Sequence, residues 1–552
     1  MIGRRRLVRP GVLVWVSLAA FTLAFLGSSA LGMGPDEPAH YVKAAAAARG
    51  DLTGDRVTPA DVRRYYPFAR ARDDSAAERA RSRITAQSGI YNSRFFSLPA
   101  SVAVDQLFPC FAQQRAVPAS CGTVTAGAAK HPDRLFTYVG AYPPVPYAVT
   151  GIGTLLPAGR SGRWYAARLV NAAVALALLA IAVALLLEGA QRVGWRLAGL
   201  SFAAVPTVLF VFAVVNASAW EIAGGLVVAA AVLRLSRPDP PSARTWTWIA
   251  IGATALAVSR PLGPFWLLPF AVLLVVLTGW RRIGELWRAG PAPKVAVAVV
   301  AVASATTFLW VRLNDASTPI LKDRIDDAFR LAVSDLWLVV LQIPAIFGWN
   351  DTPIAIPWYW MYGLGLVALA GAALVYGRAR ERVALGLAVA MSIGAAIFIA
   401  AIPFEMYRQR YAMQARYVLP FAVVIPLLVG ELFARGAERA PRSRPPGTPW
   451  YPTGGLLPAA VITFMTTVQL VGWWTNAVRN AKGFGGFAFW GAGAWTPPLG
   501  WAPWLVLVAV GVGSGLGAAY LVWRAPDPAE PAAGVDPAGV TPTVDAVASP
   551  AA

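Results

Sequence analysis

Two carboxylates and a histidine stand together in the stretch Gly34-Pro35-Asp36-Glu37-Pro38-Ala39-His40-Tyr41, directly after a long apolar run. A carboxylate beside a low-dielectric medium can act as a general base with a shifted pKa. Asp36, Glu37 and His40 together also offer oxygen and nitrogen ligands to a divalent metal such as Mg or Mn. The same letters suit a plainer role, with Asp36 capping a helix that begins at Glu37-Pro38, where proline fits the first turn. Both readings stay open at this point.

Other polar clusters lie at the edges of apolar runs. Tyr142-Pro143-Pro144-Val145-Pro146-Tyr147 precedes one of them; its prolines fix an extended approach and hold the two tyrosines near an interface, where an aromatic belt accounts for them as well as ligand contact does. Asn216-Ala217-Ser218-Ala219-Trp220-Glu221, Ser259-Arg260-Pro261 and Gly348-Trp349-Asn350-Asp351-Thr352-Pro353 occupy similar places. Polar residues flanking apolar spans are costly to hide and often line a cavity. Arg408-Gln409-Arg410-Tyr411 is followed by Gln414-Ala415-Arg416-Tyr417. Guanidinium suits forked phosphate binding, so Arg260 and Arg416 are candidates for an anion site, whereas loop anchoring is a fair alternative for Arg408 and Arg410.

These residues have to be positioned by a membrane protein. The chain has 552 residues, 57% of them hydrophobic and only 14% charged, with a mean hydropathy of +0.54. That is more apolar surface than one soluble core can hide, and the apolar residues come in runs of the length needed to cross roughly 30 Å of hydrocarbon. The formal charge of +20 does not point to nucleic acid, because the arginines gather at the ends of apolar runs rather than on one face; they read as topology signals. Lysine occurs only at positions 43, 130, 294, 322 and 482, a bias that fits a GC-rich bacterial genome and carries no chemistry.

Arg4, Arg5, Arg6 and Arg9 precede the apolar stretch at about 11–33, which predicts a cytoplasmic N-terminus and an external residue 34. A cleaved signal peptide competes with this reading, since Ser28-Ser29-Ala30 resembles a small-residue cleavage site; either way the following segment is exported. The runs resume at 164 and recur to 523, giving about 11–13 transmembrane helices in an all-α polytopic fold. The implied organisation is a cytoplasmic tip and first helix at 1–33, an extracytoplasmic loop at 34–141, helices at 142–312, a second external loop at 313–357, helices at 358–524 and a disordered cytoplasmic tail at 525–552. Within the second loop the apolar piece 331–348 is expected to lie in the interface as a helix. One conflict remains. If 142–157 also spans, the crossings between residue 34 and the Arg-rich break at 281–293 have the wrong parity, so one short segment is re-entrant or is not a span; 142–157 and the pair of runs around Asn216 are the two candidates, and the sequence does not choose between them.

The loop at 34–141 contains both histidines, His40 and His131, and both cysteines. Cys110 and Cys121 in an exported loop fit a local disulfide better than a metal site, which needs further Cys or His neighbours, with two free thiols as the alternative.

An N-in first helix, a large external loop opening on an acidic motif, and a Pro-Pro-x-x-Tyr-like lead into the next segment together resemble the GT-C superfamily of membrane glycosyltransferases. The elements Pro35 to His40, Gly348 to Thr352 and Gln414 to Tyr417 resemble a bacterial branch of predicted membrane proteins, over roughly residues 10–525. Ala415 departs from an expected glycine, and Asn350 interrupts an expected apolar position. The resemblance implies a GT-C-like helical bundle in a bacterial plasma membrane. It implies transfer of a sugar, with inversion, from a polyprenyl-phosphate donor to a glycan or lipid acceptor on the outer side. Asp36 is then the catalytic base with Glu37 beside it, Arg416 or Arg260 faces the donor phosphate, and His40, Tyr142, Asp351, Gln414 and Tyr417 are substrate contacts. Glu37 or His40 orients Asp36 or ligates a metal; metal use is left open.

Two other classes compete. A transporter or flippase for lipid-linked glycans should show internal repeats and polar residues at mid-span, whereas here the polar clusters sit at the edges and no repeat is evident. A non-catalytic scaffold of an envelope polysaccharide pathway explains the helices but not the acidic motif. A soluble nucleotide-sugar donor is disfavoured by the lack of a Gly-rich phosphate loop.

Overall fold

The computed structural model describes residues 2–104, 107–122, 131–316, 325–407, 414–439 and 454–525. Arg408, Arg410 and the tail after 525 lie outside the described residues. Among the described residues nine helices are long and apolar enough to cross a bilayer, or up to eleven if each of two bent pairs forms one span. Gly194–Ala203 and Pro206–Ala213 are bent by 63°, at a proline that opens the second helix, because proline cannot donate into the preceding turn and restricts the residue before it. Gly263–Thr278 and Trp280–Arg288 are bent by 103°, at Gly279 with φ 78°, a backbone region that glycine enters freely.

Glycines let the central helices approach closely, as small residues do in membrane bundles. The helix Ser218–Leu235 is buried along its whole length. A Cβ on Gly225 would lie 2.0 Å from the carbonyl oxygen of Pro420, and one on Gly224 2.7 Å from the backbone nitrogen of Leu256. The first helix, Ile2–Ser28, is built into the bundle: Ser17 donates to the carbonyl of Gly511 at 2.7 Å, in the helix Ala502–Trp523.

The parity conflict is resolved by length and direction. Val145–Leu155 is a short apolar helical segment of about 16 Å at 1.5 Å per residue, too short to cross roughly 30 Å. It lies against the buried helix Glu37–Ala47, where Gly151 faces the carbonyl of Ala44. The helix Ala243–Ser259 instead runs antiparallel to Ser218–Leu235, because Arg260 beyond its end meets Glu221 near the start of that helix. The run before Asn216 begins with Arg196 on Glu431, which also holds Arg237 at the far end of Ser218–Leu235, and ends with Val215 on Glu37, so the runs on either side of Asn216 pass in opposite directions.

Charges divide between the two ends of the bundle. At the end that carries the termini of Arg160–Leu187 and Ser218–Leu235, Arg234 pairs with Glu188, and buried Glu431 receives Arg196, Arg237 and Arg435. The opposite end carries the loop that follows the first helix. There Asp55–Arg56, Arg94–Phe96 and Leu135–Thr137 form a three-stranded antiparallel sheet, and Cys110 is bonded to Cys121. The apolar piece at 331–348 is not one helix. It breaks into Ile325–Ser334 and Leu336–Gln342 and ends before Pro344, as expected for the residue that precedes proline. Ile346–Phe347 and Thr352–Pro353 then pair as a small hairpin.

Candidate functional site

The first helix ends at Ser28, and the chain turns through Gly32 and Gly34 before the acidic motif. Asp36 occupies the N-cap position of Glu37–Ala47, but its φ is 61° and its side chain makes no capping bond. Capping therefore does not account for this aspartate. The left-handed backbone, uncommon for a residue with a Cβ, sends Asp36 and Glu37 to different surroundings.

Glu37 is fully buried and structural. Its Oε1 accepts from Arg168 Nε at 2.6 Å, Trp164 Nε1 at 3.0 Å and Val215 N at 3.2 Å. Its Oε2 accepts from Arg168 Nη2 at 2.7 Å and from the backbone of Gly32 and Gly34. Arg168 in turn donates to the carbonyls of Leu26, Ser29 and Ala30. The pair closes the end of the first helix, where the last carbonyls otherwise lack partners. Glu37 does not line the polar cavity, so the structure gives it a supporting place rather than a catalytic one.

Asp36 faces a polar cavity of about 100 Å³ lined also by His40, Tyr66, Tyr138, Tyr142, Arg260, Arg416 and Tyr417. Tyr138 donates to its Oδ1 at 2.9 Å, and Arg416 donates to its Oδ2. Arg416 also donates to the carbonyl of Pro35 at 3.0 Å and to the Tyr417 hydroxyl at 3.2 Å. Burial works to raise the Asp36 carboxyl, but the Arg416 charge and the hydrogen bonds from Arg416 and Tyr138 hold it below the ordinary carboxylate value. It is ionised at neutral pH.

His40 shares a 2.7 Å hydrogen bond between Nδ1 and the Tyr147 hydroxyl and stacks on that ring at 5.7 Å. Burial pushes its imidazole down to about 3, which leaves the ring neutral. Arg260 lies 4.7 Å from the Tyr417 ring centroid and 5.5 Å from that of Tyr142. It donates to Ser218 Oγ at 3.3 Å and sits 3.5 Å from Glu221 Oε2. Its side chain is 16% exposed, against 5% for Arg416.

The structure thus brings Asp36, His40, Tyr142, Arg260, Arg416 and Tyr417 together and leaves Glu37, Asp351 and Gln414 outside. Asp351 pairs with Arg479 at 2.9 Å, and Arg479 also donates to the carbonyls of Phe111, Gln114 and Val117 beside the disulfide. Asp351 is a latch between loops. Gln414 opens the turn Ala415–Tyr417 and does not line the cavity. Asn350, at φ 61°, meets a conformation that asparagine tolerates better than an apolar residue does. Tyr138, the second partner of Asp36, carried no signal in the sequence, being one tyrosine in a loop.

Asp36, Glu37 and His40 do not converge as metal ligands, because each is turned to a different partner. Among the described residues no group of three or more His, Cys, Asp or Glu could hold a metal ion.

A larger apolar groove of about 710 Å³ lies between the helices Ser218–Leu235, Ala243–Ser259 and Pro291–Leu313. Its lining runs from Trp246 and Pro291 to Trp220 and Val258, residues beside Glu221 and Arg260 in the chain. The groove therefore ends at the elements that carry Arg260.

Fold and site together define a multi-pass helical membrane protein with a polar, two-arginine cavity at its loop-bearing end. The chain belongs to the family described as "Predicted membrane protein (DUF2142)", which matches residues 20–425. Comparison with curated proteins gives no match. The chain is also similar to crystal structures of ArnT from Cupriavidus metallidurans, in the apo state and bound to undecaprenyl phosphate. Both share 14% identity with it over 93% of this chain and 76% of that one, with TM-scores of 0.41 and 0.42. At those scores the likeness identifies neither fold nor reaction.

Proposed function

We propose that this protein is an inverting GT-C-type glycosyltransferase of the bacterial plasma membrane, with its loop-bearing end and polar cavity on the extracytoplasmic side and both termini in the cytoplasm. It moves a sugar from a polyprenyl-phosphate donor to a cell-envelope glycan or lipid acceptor. The observation that carries this reading is a single ionised carboxylate, Asp36, bonded to Arg416 in a cavity that Arg260 also lines, with Arg260 directly following a helix that borders a long apolar groove.

The isoprenoid chain lies in the groove and brings the phosphate to Arg260, the more open of the two cations. Asp36 removes the proton from the acceptor hydroxyl as that oxygen bonds to the anomeric carbon; the bond from this carbon to the phosphate oxygen breaks, and polyprenyl phosphate leaves with the electron pair. Negative charge thus passes from Asp36 to the phosphate, and Arg416 lies where it can follow that charge. A donor phosphate that draws Arg416 toward itself also loosens the hold that keeps the Asp36 carboxyl low, making it a better base. Glu37 and Arg168 fix the turn that presents Asp36.

Deletion of the gene followed by lipidomics tests the reading. Accumulation of one polyprenyl-phosphate sugar, reversed by the parent gene, is expected; an unchanged polyprenyl-lipid profile with unchanged envelope glycans overturns it.

A further inference from the structure

The cavity has two unlike walls. The wall contributed by the membrane helices and the turns at their ends bears both cations, Arg260 and Arg416, with Ser218 and Asn216 beside them. Beyond the acidic motif that supplies Asp36 and His40, the wall contributed by the loop carries no Lys, Arg, Asp, Glu or His: it consists of Tyr66, Tyr138, Asn92, Ser93, Gly89 and Val139. Tyr66 and Tyr138 pack with ring centroids 5.1 Å apart. They extend through Phe108 to Trp349, which is tied by its indole N–H to the carbonyl of Gly32 at 3.0 Å. The aromatic surface is thus fixed to the turn that presents Asp36.

We infer that the acceptor is an uncharged glycan, recognised by this loop wall. The inference rests on the transfer reading above. A pyranose presents one apolar C–H face and a rim of hydroxyl groups. Rigid tyrosine rings match the face at little entropic cost, and their hydroxyls with the Asn92 amide and Ser93 hydroxyl supply donors and acceptors for the rim. An acceptor bearing a carboxylate or phosphate finds no cation on this wall. The two cations opposite already face carboxylates, Asp36 and Glu221, and stand where the donor phosphate has to leave. Tyr138 belongs to both tasks, since it lines the wall and donates to Asp36; it places the acceptor hydroxyl beside the base.

Saturation-transfer NMR on the full-length protein in detergent tests this, with methyl glycosides of glucose, galactose and mannose set against their uronic-acid counterparts. The readout is binding, so it is independent of whether transfer occurs. At least one neutral glycoside is expected to show transfer to its ring C–H protons while its uronate does not. That signal should fall about two- to tenfold in Asn92→Ala and in Tyr66→Leu, the range expected for losing one hydrogen bond or one ring contact. Tyr66→Phe, which keeps the ring, should retain most of it and shows that the site still folds. Uronates binding as well as or better than neutral glycosides, no signal from any neutral glycoside, or parent-like signals in both Asn92→Ala and Tyr66→Leu overturn the inference.

Discussion

Arg416 donates to Oδ2 of Asp36 and, through its other terminal nitrogen, to the carbonyl of Pro35 at 3.0 Å, so one guanidinium fixes both the carboxylate and the backbone leading into it. Lysine carries the charge as a point and cannot hold both acceptors in the same fork. Arg416→Lys is therefore expected to lower transfer by roughly ten- to a hundredfold, about 1.4–2.7 kcal/mol, within the range for charged hydrogen bonds. Assays in membranes with matched protein abundance check this; near-parent activity would contradict the need for a forked cation on Asp36 and Pro35.

Glu37 and Arg168 form a buried pair, and removing one partner strands the other. Losing one member of such a pair typically costs about 3–5 kcal/mol. Glu37→Gln should lower folded abundance and thermal stability, while the fraction that folds retains much of its specific activity. Parent-like melting combined with lost activity would return Glu37 to the chemistry.

Asp36 is held below the ordinary carboxylate value by Arg416 and Tyr138. A base must be ionised in the free enzyme, so kcat/KM should stay flat from neutrality down through the usual carboxylate range and fall only below it. Tyr138→Phe removes one of the bonds that lower the pKa, so its acid limb should move to higher pH. An acid limb unmoved by Tyr138→Phe would contradict the assignment of that limb to Asp36.

Cys110 and Cys121 are bonded in a loop that Arg479 ties to Asp351. A membrane-impermeant thiol reagent applied to intact cells should label them only after reduction. Replacing both by serine should cost about 2–4 kcal/mol of stability. Labelling before reduction would contradict the bond, and labelling only after lysis would contradict the external placement of the loop.

Much of this was legible in the sequence, though unevenly. Long apolar runs declare helices, and the run of residues from Asp36 to His40 at the edge of one of them marks the site, because that chemistry is expensive beside lipid. The sequence pairs Asp36 with Glu37 as neighbours, yet a left-handed backbone at Asp36 separates them, and no letter announces that turn. Arg168, the one arginine within the apolar run that starts at 164, is the trace of Glu37's partner, but such a partner can be named only once the helices are packed. Asp351 looked like a substrate contact because it sits in a polar turn; its partner, Arg479, is 128 residues away. The segment 142–157 could not be placed from apolarity alone, since its prolines and short length matter only against the helix it rests on.

The central claim is that Asp36 takes the proton. Asp36→Asn keeps the side chain's size and its capacity to accept a hydrogen bond from Tyr138, but it cannot accept the proton. Transfer from a polyprenyl-phosphate sugar by membranes containing matched amounts of parent and Asp36→Asn protein should differ by at least about a hundredfold. Activity of the variant within a fewfold of the parent would contradict the account.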